Sequence, residues 1–197
     1  ALGANPSMNG AELGKIICDT YMEGCLREGT ERSATLSLVD LGKLPVLNMT
    51  YNALGLEAVV KVMENESFYA AYGRQAKSAE NYMNSRSEGF TNMVDIGSLV
   101  RNLKWELPEF TQLMLDALDE AVIYKVSGPY RNPSGISCYY PFDGNSDGFK
   151  AMMDTGNVTS FLILNGLQLG FLDTDKAISY LERISDEISA ALEADAP

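Results

Sequence analysis

The sequence predicts a mixed α/β fold, in which helices surround a sheet core. Amphipathic helical patterns alternate along the chain with short runs of β-branched and aromatic residues, and this alternation favours a layered α/β arrangement over a helical bundle. With 197 residues, 46% of them hydrophobic, the chain can bury a sizeable core, and its length requires no more than one domain. We therefore expect residues 1–197 to form a single domain.

The clearest strand covers residues 135–142, which read Gly-Ile-Ser-Cys-Tyr-Tyr-Pro-Phe and are bounded by turn-forming residues. Pro141 cannot donate to a sheet ladder, so it must lie at the exit of this strand. Residues 121–126 form a second β-rich run, and the Pro/Gly loop between the two runs has the length that links neighbouring strands. The sequence thus predicts that these two strands are neighbours.

The first helix is predicted over residues 10–27, after a connecting segment. Asn9 is a plausible N-cap because Glu12 follows it three residues later, and Gly29 has the position of a left-handed C-terminal glycine. A strand with alternating leucines follows at residues 35–39.

Helical patterns then continue over residues 43–63 and 66–83, and residues 85–91 form the clearest surface loop in the first half. A short helix is expected over residues 95–103 and another from Leu107-Pro108 onward. We expect Trp105, the only tryptophan, to fill the junction between them.

The secondary structure is harder to assign after Asp143. Residues 149–153 can make a helical turn, whereas the apolar runs 158–164 and 167–172 fit helix and strand equally well. Residues 174–192 form a clear amphipathic helix.

The composition argues against several classes of function. With 15 basic and 27 acidic residues the formal net charge is −12, which argues against nucleic acid or an anionic membrane as the main partner. Solubility alone also explains such a charge. No run approaches the roughly 20 apolar residues that a membrane span needs, and the first residues lack the features of a signal peptide, so the location cannot be read from this end.

The chain contains no histidine, so it cannot build a Cys-His dyad by itself. Cys18 and Cys25 lie roughly 10 Å apart along a predicted helix, which is too far for an undistorted disulfide. Together with Cys138 they are expected to be three free thiols that pack as small hydrophobic residues.

The most specific chemical pattern is a candidate calcium loop with oxygen ligands at Asp143, Asn145 and Asp147, followed by Gly148. Position 12 of this loop is Asp154 instead of the usual glutamate, and a strand instead of a helix precedes the loop. The alternative is a solvated turn between a strand and a short helix.

Three stretches carry a family resemblance: residues 35–41 (Thr-Leu-Ser-Leu-Val-Asp-Leu), 94–100 (Val-Asp-Ile-Gly-Ser-Leu-Val) and 134–141 (Ser-Gly-Ile-Ser-Cys-Tyr-Tyr-Pro). They resemble segments of the clostripain family of cysteine peptidases. The Asn5-Pro6 pair, followed by Glu12, Leu13 and Tyr21, is similar to the helix that follows the catalytic cysteine region in that family. The resemblance covers most of residues 5–142.

This resemblance implies a caspase-like layered sheet with helices on both faces, of which this chain supplies the C-terminal part. It also implies a bacterial, secreted or cell-surface endopeptidase that cleaves after Arg or Lys. The catalytic His and Cys would lie upstream of Ala1, on a preceding peptidase segment that is the main partner of this chain beside the peptide or protein substrate. No cofactor is required, although calcium is possible because some members depend on it.

The alternative interpretation is a non-catalytic surface or secreted binding module that keeps the same scaffold. Its acidic surface would bind basic partners.

Overall fold

The structure is a computed structural model that describes residues 3, 5–65, 67–82 and 91–194. Its helices are α1 (Gly10–Glu28), α2 (Leu44–Glu64), α3 (Ser67–Ser78), α4 (Ile96–Arg101), α5 (Pro108–Ala121), α6 (Ser146–Asp154), α7 (Ser160–Gln168) and α8 (Thr174–Ala194). Its strands are β1 (Thr35–Val39), β2 (Met93–Asp95), β3 (Val122–Ser127) and β4 (Ser137–Tyr139). The described residues thus form a mixed α/β fold, as the sequence predicts.

Helix α1 begins and ends where its sequence predicts. The Asn9 side chain accepts a hydrogen bond from the Glu12 N–H at 2.9 Å, and the Asn9 N–H donates to the Glu12 carboxylate at 3.0 Å, which completes a capping box. Gly29 ends the helix at φ 71°, a left-handed conformation that glycine adopts at little cost. On the face that covers β1, a Cβ on Gly14 would lie 2.4 Å from the Leu38 side chain. The helix therefore packs closely against the strand here, and a larger residue at this position would require the Leu38 side chain to move.

Strands β1 and β3 form an antiparallel pair. Leu38 lies opposite Tyr124, whereas Val39 lies opposite Val122, so Ile123 is an extra residue in β3. Such a bulge increases the local twist, here at the point where β3 leaves α5. The strand predicted at 35–39 is confirmed, and the one predicted at 121–126 is shifted by one residue.

Strands β2 and β4 form a second antiparallel pair, centred on Val94 opposite Cys138. The predicted adjacency of the strands at 121–126 and 135–142 is therefore wrong, because β3 pairs with β1 and β4 pairs with β2. Gly135 has φ 116°, a conformation that ends the extended chain and redirects it before β4. Within the described residues the two sheets share no strand, so the caspase-like layered sheet stays a prediction.

The main hydrophobic core lies between α2, α3, α5 and α7. Tyr51 and Phe161 pack with their ring centroids 4.7 Å apart. Helices α2 and α7 approach closely at Gly55, where a Cβ would lie 2.1 Å from Ser160 Oγ. The Ser160 hydroxyl donates to the Asn52 carbonyl at 2.8 Å, which satisfies a polar group inside this contact.

The C-terminal third is helical. The run at 158–164, for which the sequence left helix and strand open, leads into α7, and the Thr159 side chain accepts from the Leu162 N–H at 3.2 Å as its N-cap. The predicted helical turn at 149–153 is part of the longer α6, and the predicted helix at 174–192 is confirmed as α8. A small apolar cluster around Ile163 and Ala177 packs α7 against α8.

Two further expectations have different outcomes. The prediction that Trp105 fills the junction between α4 and α5 is wrong: Trp105 is 64% exposed, and the smaller Leu103 and Leu107 are buried there instead. The predicted helix at 66–83 is α3, which ends at Ser78. Residues 66 and 83–90, which include most of the predicted surface loop at 85–91, lie outside the described residues.

None of the helices in the described parts of the chain is long and apolar enough to cross a membrane.

Candidate functional site

A buried polar cluster surrounds Asp95, whose side chain has no exposed surface. Its Oδ1 atom accepts hydrogen bonds from the Tyr82 hydroxyl at 2.5 Å and from the Ser134 N–H and hydroxyl at 2.7 and 2.8 Å. Its Oδ2 atom accepts from the Ser98 N–H at 2.8 Å and thereby caps α4. We call Tyr82, Asp95, Ser98 and Ser134 the Asp95 network. Tyr82, Ser98 and Ser134 thus surround the buried Asp95 carboxylate with hydrogen-bond donors.

Small residues let the backbone close around this network. The Gly97 N–H donates to Ser134 Oγ at 3.0 Å, and a Cβ on Gly97 would lie 2.5 Å from the Ser134 Cβ. Burial, and then the hydrogen bond to Asp95, raise the pKa of Tyr82 well above its ordinary value, so its hydroxyl stays protonated and donates. The network therefore fixes the positions of β2, α4 and the segment before β4.

Gly135 joins the Asp95 network to the other sheet. A Cβ at this position would lie 2.6 Å from Val122 Cγ1 and 3.1 Å from Ser37 Oγ, so the backbone rests directly on β1 and β3. The Lys125 ammonium group donates to the Ser134 carbonyl at 3.5 Å on the same side. Both sheets thus meet at Ser134 and Gly135.

The three cysteines are free thiols, as the sequence predicts. Burial raises the pKa of Cys138 to about 11, against the lowering effect of a hydrogen bond with Tyr51. Burial, followed by the charge of Asp19, raises the pKa of Cys18. Because the thiolate is the nucleophilic form, these two thiols are weak nucleophiles at neutral pH.

The candidate calcium loop adopts the geometry of a helix N-cap. The Asp143 carboxylate accepts from the Asn145 N–H at 3.0 Å, and Asn145 Oδ1 accepts from the N–H groups of Asp147 and Gly148 at 2.9 and 3.2 Å. Asp147 is 90% exposed and faces the Lys150 ammonium group at 3.7 Å. The Asn145 oxygen that would ligate calcium is therefore directed at the first turn of α6.

The twelfth residue of this loop, Asp154, lies at the other end of α6. At 1.5 Å per residue, the helix separates it from Ser146 by about 12 Å, so it does not stand beside the first three predicted ligands. Among the described residues, no group of three His, Cys, Asp or Glu side chains is placed to hold a metal ion. Calcium binding at Asp143, Asn145 and Asp147 stays a prediction.

Among the described residues, a smaller and a larger cavity open on the surface. One, of about 440 Å³, is polar, with Arg101 in its wall beside an ion pair between Glu80 and Arg131 at 3.1 Å. The other, of about 590 Å³, lies between α2, β4 and α8, and its volume falls in the range of ligand pockets. Sequence reasoning missed both, because residues far apart in the chain supply their walls.

No known protein family model, curated protein or solved structure matches this chain.

Proposed function

We propose that this chain is the C-terminal part of a clostripain-like cysteine endopeptidase with a caspase-like fold, secreted from or displayed on a bacterial cell. In this proposal a preceding segment carries the catalytic Cys and His, since the chain has no histidine. The chain supports the sheet that holds these two catalytic residues and the substrate.

One observation carries the proposal: the three stretches that resemble the family meet in space. Ser134 and Gly135 begin the third stretch, and Ser134 donates two hydrogen bonds to Asp95 of the second. Gly135 lies against Ser37 of the first, where a Cβ would come within 3.1 Å of its hydroxyl oxygen. Residues from the three stretches, although distant in sequence, thus form one packed unit, as expected if these stretches belong to one scaffold.

The chemistry assigned to this scaffold is hydrolysis of a peptide bond. The cysteine thiolate of the preceding segment attacks the carbonyl carbon, and the histidine gives a proton to the departing amine. Water then attacks the resulting thioester, which releases the carboxylic acid and restores the thiol. Cys18, which is buried, and Cys138, which is half-buried, take no part, because their raised pKa values keep them protonated at neutral pH.

The proposed substrates are cleaved after Arg or Lys. The chain has 27 acidic and 15 basic residues, and its net negative charge attracts cationic peptides. The same surface supports the competing proposal, a non-catalytic binding module for basic partners.

The test is intact mass spectrometry, under denaturing conditions, of the purified native particle that contains this chain. We expect a polypeptide with a His and a Cys, either joined to this chain or present in equal amount. That particle should hydrolyse an arginyl peptide substrate and lose this activity after treatment with iodoacetamide. If the particle contains this chain alone, the peptidase proposal fails and the binding module is favoured.

A further inference from the structure

The larger cavity follows the free edge of strand β4. Four consecutive residues, 136–139, line it. Side chains of consecutive strand residues alternate between the two faces of a sheet, so a cavity that touches all four must run along the backbone edge. The opposite edge of β4 is already paired with β2.

The backbone groups that face this cavity are those of Ser137 and Tyr139. The bonds to the β2 side flank them: the Ile96 N–H donates to the Ile136 carbonyl at 3.0 Å, and the Tyr140 N–H donates to the Asn92 carbonyl at 2.9 Å. In an antiparallel pair, alternate residues direct their N–H and C=O groups to the same edge. Ile136, Cys138 and Tyr140 therefore face β2, whereas Ser137 and Tyr139 face the other edge. Within the described chain, these groups of Ser137 and Tyr139 have no hydrogen bond outside the β2–β4 pair.

The walls of the cavity suit a short polypeptide segment. Leu47, Val158 and Leu162 supply apolar surface, whereas Asn48 and Asn157 supply amide groups. The three residues of β4 span about 10 Å, enough to pair with three to five residues of an added strand. Alternating donors and acceptors along a strand edge are matched best by another extended backbone.

Charge restricts the segment further. The charged residues in the lining are Arg183 and Glu187, which pair with each other at 3.6 Å, so the cavity wall carries no net charge. The whole chain has a net charge of −12, which favours basic residues on either side of the segment.

We propose that this cavity binds an extended peptide segment of another polypeptide, uncharged inside the cavity and flanked by basic residues, which joins β4 as a third strand. The binding requires no catalytic group, so it can be measured on the 197-residue chain and does not depend on the proposed peptidase activity.

The experiment uses a pooled synthetic peptide library. Each peptide has five central positions drawn from Val, Thr, Ser, Ala and Leu, with two lysines on each side. The library is passed over the immobilised chain, retained peptides are identified by mass spectrometry, and the best one is labelled with fluorescein for anisotropy titration. We expect saturable binding, together with slower hydrogen exchange of the Ser137 and Tyr139 amides.

Two variants localise the binding. Asn157→Trp places a large ring in the exposed wall of the cavity and should weaken binding at least 10-fold, whereas Ala151→Trp, at an exposed position of α6 outside the lining, should change it less than twofold. Ser137→Pro removes one N–H from the free edge and leaves the bonds to β2, so it should also weaken binding at least 10-fold. Circular dichroism verifies that each variant is folded.

A matched peptide with N-methyl groups on its central residues tests the backbone pairing, because it keeps the side chains and loses the donors. We expect it to bind at least 10-fold more weakly. The proposal is overturned if no peptide is retained more strongly by the wild-type chain than by the Asn157→Trp variant. It is also overturned if the N-methylated peptide binds as well as its parent.

Discussion

Replacement of Asp95 by alanine tests whether the Asp95 network holds β2, α4 and the segment before β4 together. The substitution removes the acceptor for four hydrogen bonds, including the one that caps α4. Loss of an N-cap costs about 1 kcal/mol. A buried donor left without an acceptor costs about 1–3 kcal/mol, and the N–H of Ser134, which is only 4% exposed, becomes such a donor.

The hydroxyl groups of Ser134 and Tyr82 can turn toward other acceptors, so they add less than the backbone donor does. The expected loss in the free energy of unfolding is therefore about 3–5 kcal/mol. An ordinary domain has a free energy of unfolding of about 5–15 kcal/mol, so the variant would lose between about a fifth and all of it. Urea titrations followed by circular dichroism measure the loss as a shift of the midpoint at constant slope.

Asp40→Ala is the matched control. Asp40 also accepts a hydrogen bond from a backbone N–H, that of Gly42 at 2.9 Å, but it is exposed to water. We expect this variant to lose at most about 1 kcal/mol. Tyr82→Phe, which removes a single donor, should fall between the two. Equal losses for Asp95→Ala and Asp40→Ala would refute the structural role assigned to the network.

Three further predictions concern Gly135, Cys138 and Asn145. Gly135→Ala should cost about 2–4 kcal/mol in urea titrations, because it adds strain at φ 116° and a clash with β3, whereas Gly144→Ala, at φ 63° in open space, should cost only about 1 kcal/mol; equal costs would exclude the clash. Burial raises the pKa of the Cys138 thiol from its ordinary value of 9.0 to about 11, so between these pH values the thiol is ionised in the unfolded chain but not in the folded chain. Its contribution to stability is fully present below pH 9 and is lost as the pH rises to 11, so the wild type should lose about 2 kcal/mol more than Cys138→Ala over this interval. Parallel pH curves would contradict this expectation. Asn145→Ala should lose about 1 kcal/mol in EDTA because the cap of α6 is removed, whereas a calcium-dependent rise in Tm of the wild type that the variant lacks would establish the calcium loop.

Local signals in the sequence predicted most of the helix ends. The Asn9 and Glu12 pair and Gly29 set the ends of α1, and Pro108 lies at the start of α5, because capping depends on residues within one turn. The run that leads into α7 was ambiguous for a physical reason: residues 160–166 are all buried, so no polar face reveals the helical period.

The strand pairing could not be predicted in the same way. Strand β2 has three residues, too few for an alternating pattern, and its partner β4 is more than forty residues away. The sequence predicted only that a short helix begins at Asp95. The structure shows this residue as the N-cap of α4 and adds three other donors, which come from Tyr82 and Ser134. The pattern at Asp143 and Asn145 fits both a calcium loop and an N-cap, since both arrangements place side-chain oxygens at the same spacing.

The pairing of β1 with β3 also affects how the chain is made. About eighty residues separate the two strands, and a ribosome needs about 4–16 s to add them at 5–20 residues per second. During this time β1 lacks its partner β3, and an unpaired strand edge is a site of aggregation. Helix α1 precedes β1 and already contacts it through Gly14 and Leu38 in the native state. The order of elements thus provides β1 with a cover on one face before its partner has been synthesised.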